Sequence, residues 1–156
     1  MHPPLCIVGP SDAGKTTLLE SLVAELADAG RVGTIKSIHH DIEIDTPGKD
    51  TYRHRTAGAD TVVGLTPSLS FKITSSGKTD ADSEGALLES TVDDLQAAGY
   101  EFILIEGFHT APYPKLVVGD RPAAPPVVAR GPPAAIDVSA LATAMIEGTL
   151  LDADPV

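Results

Sequence analysis

The sequence predicts an α/β fold, a three-layer sandwich around a mainly parallel sheet. Two short runs, Leu5-Cys6-Ile7-Val8 and Phe102-Ile103-Leu104-Ile105, are apolar at every position, as strands covered on both faces are. Segments of helical periodicity alternate with such runs. A glycine-rich turn joins the first run to the first helical segment. The 156 residues are the size of one domain, so a single unit over residues 1–156 is expected.

Each element has its own local reason. Residues 5–8 are bounded by Pro and Gly, which marks a short central strand. Leu19, Leu22, Val23 and Leu26 then recur at helical spacing, and Gly30 is a natural stop. Residues 32–38 read as the second strand of a right-handed βαβ unit. Residues 39–50 are a polar loop with a Pro47-Gly48 turn, and 51–57 a short helix. Residues 61–65 and 69–74 are candidate additional strands around Thr66-Pro67-Ser68. Ser75 to Asp82 is small and polar, a loop. Ser83 suits the N-cap of a helix running to Ala98 and closed by Gly99. Residues 102–105, 115–118 and 127–129 read as strands, and 137–147 as a terminal helix.

Asp and Glu number 22 against 11 Lys and Arg, for a formal net charge of -11. Nucleic-acid binding is not expected of such a chain, because phosphate contact needs clustered cations. The same balance predicts firmer folding at molar salt, where self-repulsion is screened. No apolar run approaches the ~18–20 residues that cross a bilayer, and the N-terminus lacks a secretory pattern. No membrane association and a cytoplasmic location are expected. The one cysteine, Cys6, falls in a strand and reads as a small buried hydrophobe. Six of the 11 cations lie between Lys15 and Arg55, which points to an anion near that stretch.

Gly9-Pro10-Ser11-Asp12-Ala13-Gly14-Lys15-Thr16 fits G-x-x-x-x-G-K-[ST], the Walker A phosphate loop. The flanking strand and helix are the context this motif needs. Its backbone N–H groups converge on phosphate oxygens, and the helix N-terminus adds partial positive charge. A P-loop NTPase fold with additional β-strands follows. Gly9, Ser11, Asp12, Ala13, Gly14, Lys15, Thr16 and Thr17 are the candidate nucleotide contacts. Lys15 is expected on the β- and γ-phosphates, with the Thr16 hydroxyl on Mg²⁺. Asp12 is unusual in an anion site. Glu106, ending the second apolar run, is the expected acid near the metal.

His39-His40-Asp41 follows the second strand, and Asp45, Lys49, Asp50, Arg53 and Arg55 come soon after. Two readings compete here, beside that of a plain solvated loop. Asp41 and Asp50 suit Mg²⁺ or water positioning, with Lys49, Arg53 and Arg55 on phosphates. Alternatively, His39, His40, His54 or His109 suit a transition metal. Neighbours on a strand end face opposite ways, which disfavours one metal shared by His39 and His40.

The blocks Ile38-His39-His40-Asp41, Asp45-Thr46-Pro47-Gly48-Lys49-Asp50-Thr51 and Arg55-Thr56-Ala57-Gly58-Ala59 resemble the signature of the molybdopterin-guanine dinucleotide biosynthesis adapter proteins. Ile105-Glu106-Gly107-Phe108 and Lys115-Leu116-Val117-Val118 resemble that family's later motifs. The resemblance implies a homodimeric GTP-binding protein with weak GTPase activity that assists a molybdopterin guanylyltransferase. It implies a functional set of His40, Asp41, Asp45, Lys49, Asp50 and Arg55, alongside His39 of the same motif. Lys15, Asp41 and Glu106 are then the candidate catalytic residues, and Thr16, Asp41 and Glu106 the candidate Mg²⁺ ligands. The chain departs from the pattern at Pro10 and Asp12, at His109 where Lys is usual, at Gly119 where Arg is common, and over residues 129–133. It has no Asn, so it holds no N-K-x-D guanine motif.

Two other functions fit a phosphate loop. A metal-delivery GTPase would use the histidines, but a single strand-borne Cys disfavours it. A small-molecule kinase using ATP would need an Arg-rich lid, and residues 75–82 carry no Arg. No arginine finger in the same chain is evident for GTP hydrolysis; Arg53 or Arg55 would have to come from a dimer partner. Val62, Val63, Leu65, Leu69 and Phe71 are candidate dimer residues.

Overall fold

The computed structural model describes residues 1–152. They fall into two compact units: Met1–Ser37 with the residues from Glu89 onward, and Ile38–Leu88, which is inserted between them in sequence. Length alone predicts one nucleotide-binding domain over 1–156.

The first unit is a five-stranded parallel sheet. Its strands are β1 (Leu5–Val8), β2 (Val32–Lys36), β5 (Phe102–Glu106), β6 (Lys115–Val118) and β7 (Val127–Gly131), in the spatial order β2-β5-β1-β6-β7. All four pairings are parallel. β1, β5 and β6 lie inside the sheet and are buried at every residue. This is why their sequences show no alternation.

One face of the sheet packs on α1 (Lys15–Leu26) and α4 (Val138–Glu147). Leu5, Ile7, Phe102, Leu104, Leu116 and Val118 meet Leu18, Leu22, Leu26, Leu141 and Met145 in one cluster. Residues at odd strand positions of β1 belong to it, so Cys6 faces the other way. α3 (Glu84–Ala97) packs on that second face at β2: a Cβ on Gly33 would lie 3.3 Å from the Leu95 side chain. Helix, sheet and helix make the expected three layers. The apolar face of α1 includes the expected Leu22 and Leu26, both buried, and Leu19 and Val23, partly buried against the same core, with Leu18 as a further buried residue.

Helix ends follow their caps. Ser83 Oγ accepts from Ala86 N–H at 3.0 Å ahead of α3. Asp137 Oδ1 accepts from Ala140 N–H at 2.9 Å ahead of α4. Gly99 and Gly148 take the left-handed turns beyond them, at φ 82° and 73°.

The second unit contains α2 (Asp50–Thr56) and an antiparallel pair, β3 (Thr61–Leu65) and β4 (Ser70–Thr74). β3 alternates strictly, with Val62 and Gly64 buried and Thr61, Val63 and Leu65 exposed. The Phe71 ring lies across Gly64, its cross-strand partner, and so covers a position without a side chain. The expected dimer residues therefore divide: Val62 is buried and Phe71 half-buried, while Val63, Leu65 and Leu69 are exposed.

Candidate functional site

The carboxyl ends of parallel strands collect functional groups because successive strands there enter loops on one edge. In the first unit that edge carries Lys36, Glu106, Gly9, Val118 and Gly131 as one crosses the sheet. Residues 9–14 leave β1 and curl before α1 begins at Lys15. Gly9 is tightly set, since a Cβ there would come within 2.5 Å of the Val118 carbonyl oxygen.

Two residues of the curl are left-handed, Asp12 at φ 60° and Gly14 at φ 91°. Asp tolerates that region better than most side chains. This gives Asp12 a backbone reason to be in the loop, and its side chain is exposed. Gly14 is the N-cap of α1 and offers no side-chain cap. The first bond across the helix start runs from Leu18 N–H to the Gly14 carbonyl at 3.1 Å. The N–H groups of Lys15, Thr16 and Thr17 thus have no intrahelical acceptor, and they point where the helix field is positive. Lys15 folds back over the loop, its Nζ donating to the carbonyls of Gly9 at 3.0 Å and Pro10 at 2.7 Å.

Thr16 Oγ1 lies 3.2 and 3.1 Å from the two carboxylate oxygens of Glu106. Lys36 Nζ donates to Glu106 Oε1 at 3.0 Å. Glu106 is the last residue of β5 and is buried. A hydroxyl and a carboxylate meeting at the start of an uncapped helix form a hard oxygen donor pair. Such a pair suits Mg²⁺ with the remaining positions filled by water and phosphate. The ammonium of Lys36 balances the buried carboxylate.

The sequence counts Lys36 among the cations between Lys15 and Arg55 but gives it no place beside Glu106. The signal was available: β2 and β5 both end on the same edge, and parallel pairing sets Lys36 opposite Glu106. Taking β2 to residue 38 hid it, since the strand stops at Lys36. Arg121 was also missed. Its Nη1 donates to the Gly9 carbonyl at 3.3 Å, and the Arg121 carbonyl accepts from Arg130 Nη1 at 2.8 Å. Arg121 sits in an irregular turn after β6, which periodicity does not locate.

Below this edge, Lys115 is fully buried in β6. Its Nζ donates to the carbonyls of Ala111 and Tyr113, which fastens the loop after β5. Burial pushes the Lys115 pKa down, with the Cys6 thiol opposing this. Burial also pushes the Cys6 thiol up to about 12, against a smaller opposite effect of Lys115.

The second unit holds the remaining candidates. His39, His40 and Asp41 are exposed in a loop, not on a strand end, because β2 has already finished. Lys49 is the N-cap of α2, and Asp50 its first residue. Asp50 at the start and Arg53, His54 and Arg55 in the last turn complement the helix dipole. Arg55 Nη2 donates to Glu43 Oε1 at 2.5 Å. Asp45 Oδ1 accepts from Thr46 N–H at 2.7 Å. Asp45 Oδ2 and Arg55 Nε are buried without a hydrogen-bond partner among the described residues. Of the expected Mg²⁺ set, Thr16 and Glu106 meet in the first unit, while Asp41 belongs to the exposed loop of the second. Among the described residues, no three His, Cys, Asp or Glu side chains gather as a metal site, and no helix is long and apolar enough to span a membrane.

A family model described as molybdopterin guanine dinucleotide synthesis protein B matches residues 4–143. The molybdopterin-guanine dinucleotide biosynthesis adapter protein of Escherichia coli K12 is 34% identical over 128 residues, which are 78% of this chain and 71% of that protein. The protein of the same description from Haemophilus influenzae is 36% identical over 118 residues, 74% of this chain and 62% of its own length. The solved structure of Bacillus subtilis MobB superposes with a TM-score of 0.55 at 26% identity, over 74% of this chain and 64% of that one. A crystal structure of molybdopterin-guanine biosynthesis protein B shares the fold, with a TM-score of 0.63 at 22% identity over 95% of this chain and 98% of that one.

Proposed function

The chain belongs to the molybdopterin guanine dinucleotide synthesis protein B family, and from that premise we propose that it is a GTP-binding adapter with slow GTPase activity in molybdopterin guanine dinucleotide biosynthesis. The observation that carries the reading is the uncapped start of α1, with Lys15 folded over the loop and Thr16 already on Glu106. Lys15 exchanges the Gly9 and Pro10 carbonyls for β- and γ-phosphate oxygens. The N–H groups of residues 15–17, which have no intrahelical acceptor, donate to phosphate oxygens. Thr16 and Glu106 would hold Mg²⁺, which supplies charge neutralisation on the phosphates when bound.

Slow turnover follows from what surrounds this centre. Glu106 is already engaged by Thr16 and Lys36, so it is poorly placed to take a proton from water. The exposed His39-His40-Asp41 loop and the Lys49, Asp50, Arg53 and Arg55 set remain the proposed family-specific contacts. They serve the nucleotide or the partner, a molybdopterin guanylyltransferase. Exposed Val63, Leu65 and Leu69 on the β3–β4 hairpin support homodimer formation, since an apolar sheet face in water favours association. A cytoplasmic location completes the proposal.

The test is calorimetric titration of GTP and of ATP with Mg²⁺, followed by a guanylyltransferase assay with and without this protein. A preference for GTP and stimulation of guanylyl transfer are expected. Equal or tighter ATP binding without stimulation would remove the adapter reading.

A further inference from the structure

Two cations converge on one carbonyl oxygen at the start of the phosphate loop. Lys15 Nζ lies 3.0 Å from Gly9 O, and Arg121 Nη1 lies 3.3 Å from the same atom. Among the described residues neither forms an ion pair with a carboxylate; the three ion pairs present are Lys36–Glu106, Arg55–Glu43 and Lys78–Glu84. Asp12 and Asp120 are nearby in sequence, and both are exposed. Like charges in such proximity repel, and one carbonyl dipole only partly offsets this. A phosphate anion at this point relieves the repulsion and offers both cations better acceptors.

The position of Arg121 is built by its turn. Gly119 leaves β6 at φ 82°, a left-handed conformation, and its N–H donates to the Gly131 carbonyl at 3.1 Å. That bond turns the chain toward the loop, where a Cβ on Gly119 would lie 3.8 Å from Pro10 Cδ. Arg130, on β7, donates to the Arg121 carbonyl at 2.8 Å and holds the turn from the other side.

We propose that Arg121 is a second cationic ligand for the polyphosphate of the bound nucleotide, acting within the same chain beside Lys15, with Arg130 as its positioning residue. The Gly9 carbonyl holds the acceptor position that a phosphate oxygen would take between the two cations. On binding, the guanidinium moves from that carbonyl to the phosphate, where its planar fork makes two parallel bonds. The inference rests on the phosphate-loop reading and adds a residue that the motif does not contain.

Inorganic tripolyphosphate, which has no base or sugar, separates a phosphate ligand from a base contact. GTP affinity is measured by calorimetry, and tripolyphosphate affinity by competition against GTP, for wild type, Arg121→Ala and Arg121→Lys. Both ligands are expected to weaken about tenfold or more in Arg121→Ala, as the loss of a charge-assisted contact dictates. Arg121→Lys is expected to recover part of the loss, because it keeps the charge but not the fork. Thermal melting of both variants should match wild type, since the side chain is exposed. Unchanged tripolyphosphate affinity in Arg121→Ala overturns this proposal and leaves the phosphate loop standing. A wild-type chain that binds neither GTP nor tripolyphosphate overturns the phosphate-loop reading, and this inference with it.

Discussion

The carboxyl edge of the parallel sheet and the inserted segment over Ile38–Leu88 both carry signature residues, but they hold them differently. On the sheet edge each charged group is anchored by a neighbour: Glu106 by Thr16 and Lys36, Lys15 by two carbonyls, Arg121 by Gly9. The three inner strands beneath, β1, β5 and β6, are buried throughout. In the inserted segment His39, His40 and Asp41 are exposed and α2 has no buried residue. Asp45 and Arg55 each keep a buried polar atom without a hydrogen-bond partner among the described residues. A preorganised edge can bind its ligand with little ordering cost. A loop with few internal contacts is free to take its final order from what it binds.

The largest effect that separates the two regions concerns Cys6. With its thiol pushed up to about 12 by burial, native Cys6 should carry roughly a thousandfold less thiolate at pH 8 than an ordinary thiol. Cys6 is also fully buried, so its alkylation should be slow under native conditions and become rapid in denaturant. Fast labelling under native conditions would show that the sheet opens as readily as the loops.

Lys15→Ala should weaken GTP binding about 100-fold, the cost of two charge-assisted phosphate contacts. Calorimetry checks this, with melting to show that the fold persists. Retained affinity would place the nucleotide outside the first unit.

Gly9→Ala comes next. Its Cβ meets the Val118 carbonyl at 2.5 Å, an overpacking that should cost about 2 kcal/mol and lower Tm by about 4–8 °C. Gly77→Ala in the inserted segment meets nothing within 4 Å and should stay within ~0.5 kcal/mol of wild type. Equal effects of the two would erase the contrast in packing.

The smallest stability effects are expected in the His-rich loop. His40→Ala and Asp41→Ala should each change stability by less than ~0.5 kcal/mol while lowering stimulation of the guanylyltransferase. A large drop in Tm would mean that these side chains serve the fold.

Much of the sheet was legible because buried strands write themselves as continuous apolar runs. Glu106 was found for the same reason, as the first charge after Phe102-Ile103-Leu104-Ile105. Lys36 and Arg121 were not, because each reaches the site through tertiary placement. Lys36 depends on where β2 stops against β5, and Arg121 on a turn set by Gly119 and Arg130. On α1 the expected stripe of Leu19, Leu22, Val23 and Leu26 does face the core, and Leu18 joins it because Leu18, Leu19, Leu22 and Val23 satisfy two overlapping helical stripes. In the inserted segment, signature residues were recognisable as a pattern, but exposed loop side chains leave no periodicity from which to derive a role.

The most direct test of the central claim is a crystal structure of the chain with Mg²⁺ and a non-hydrolysable GTP analogue. The account predicts the β- and γ-phosphates on the N–H groups of residues 15–17 and on Lys15, with the metal between Thr16, Glu106 and phosphate oxygens. A nucleotide bound elsewhere, with Lys15 still on the Gly9 and Pro10 carbonyls, would contradict it.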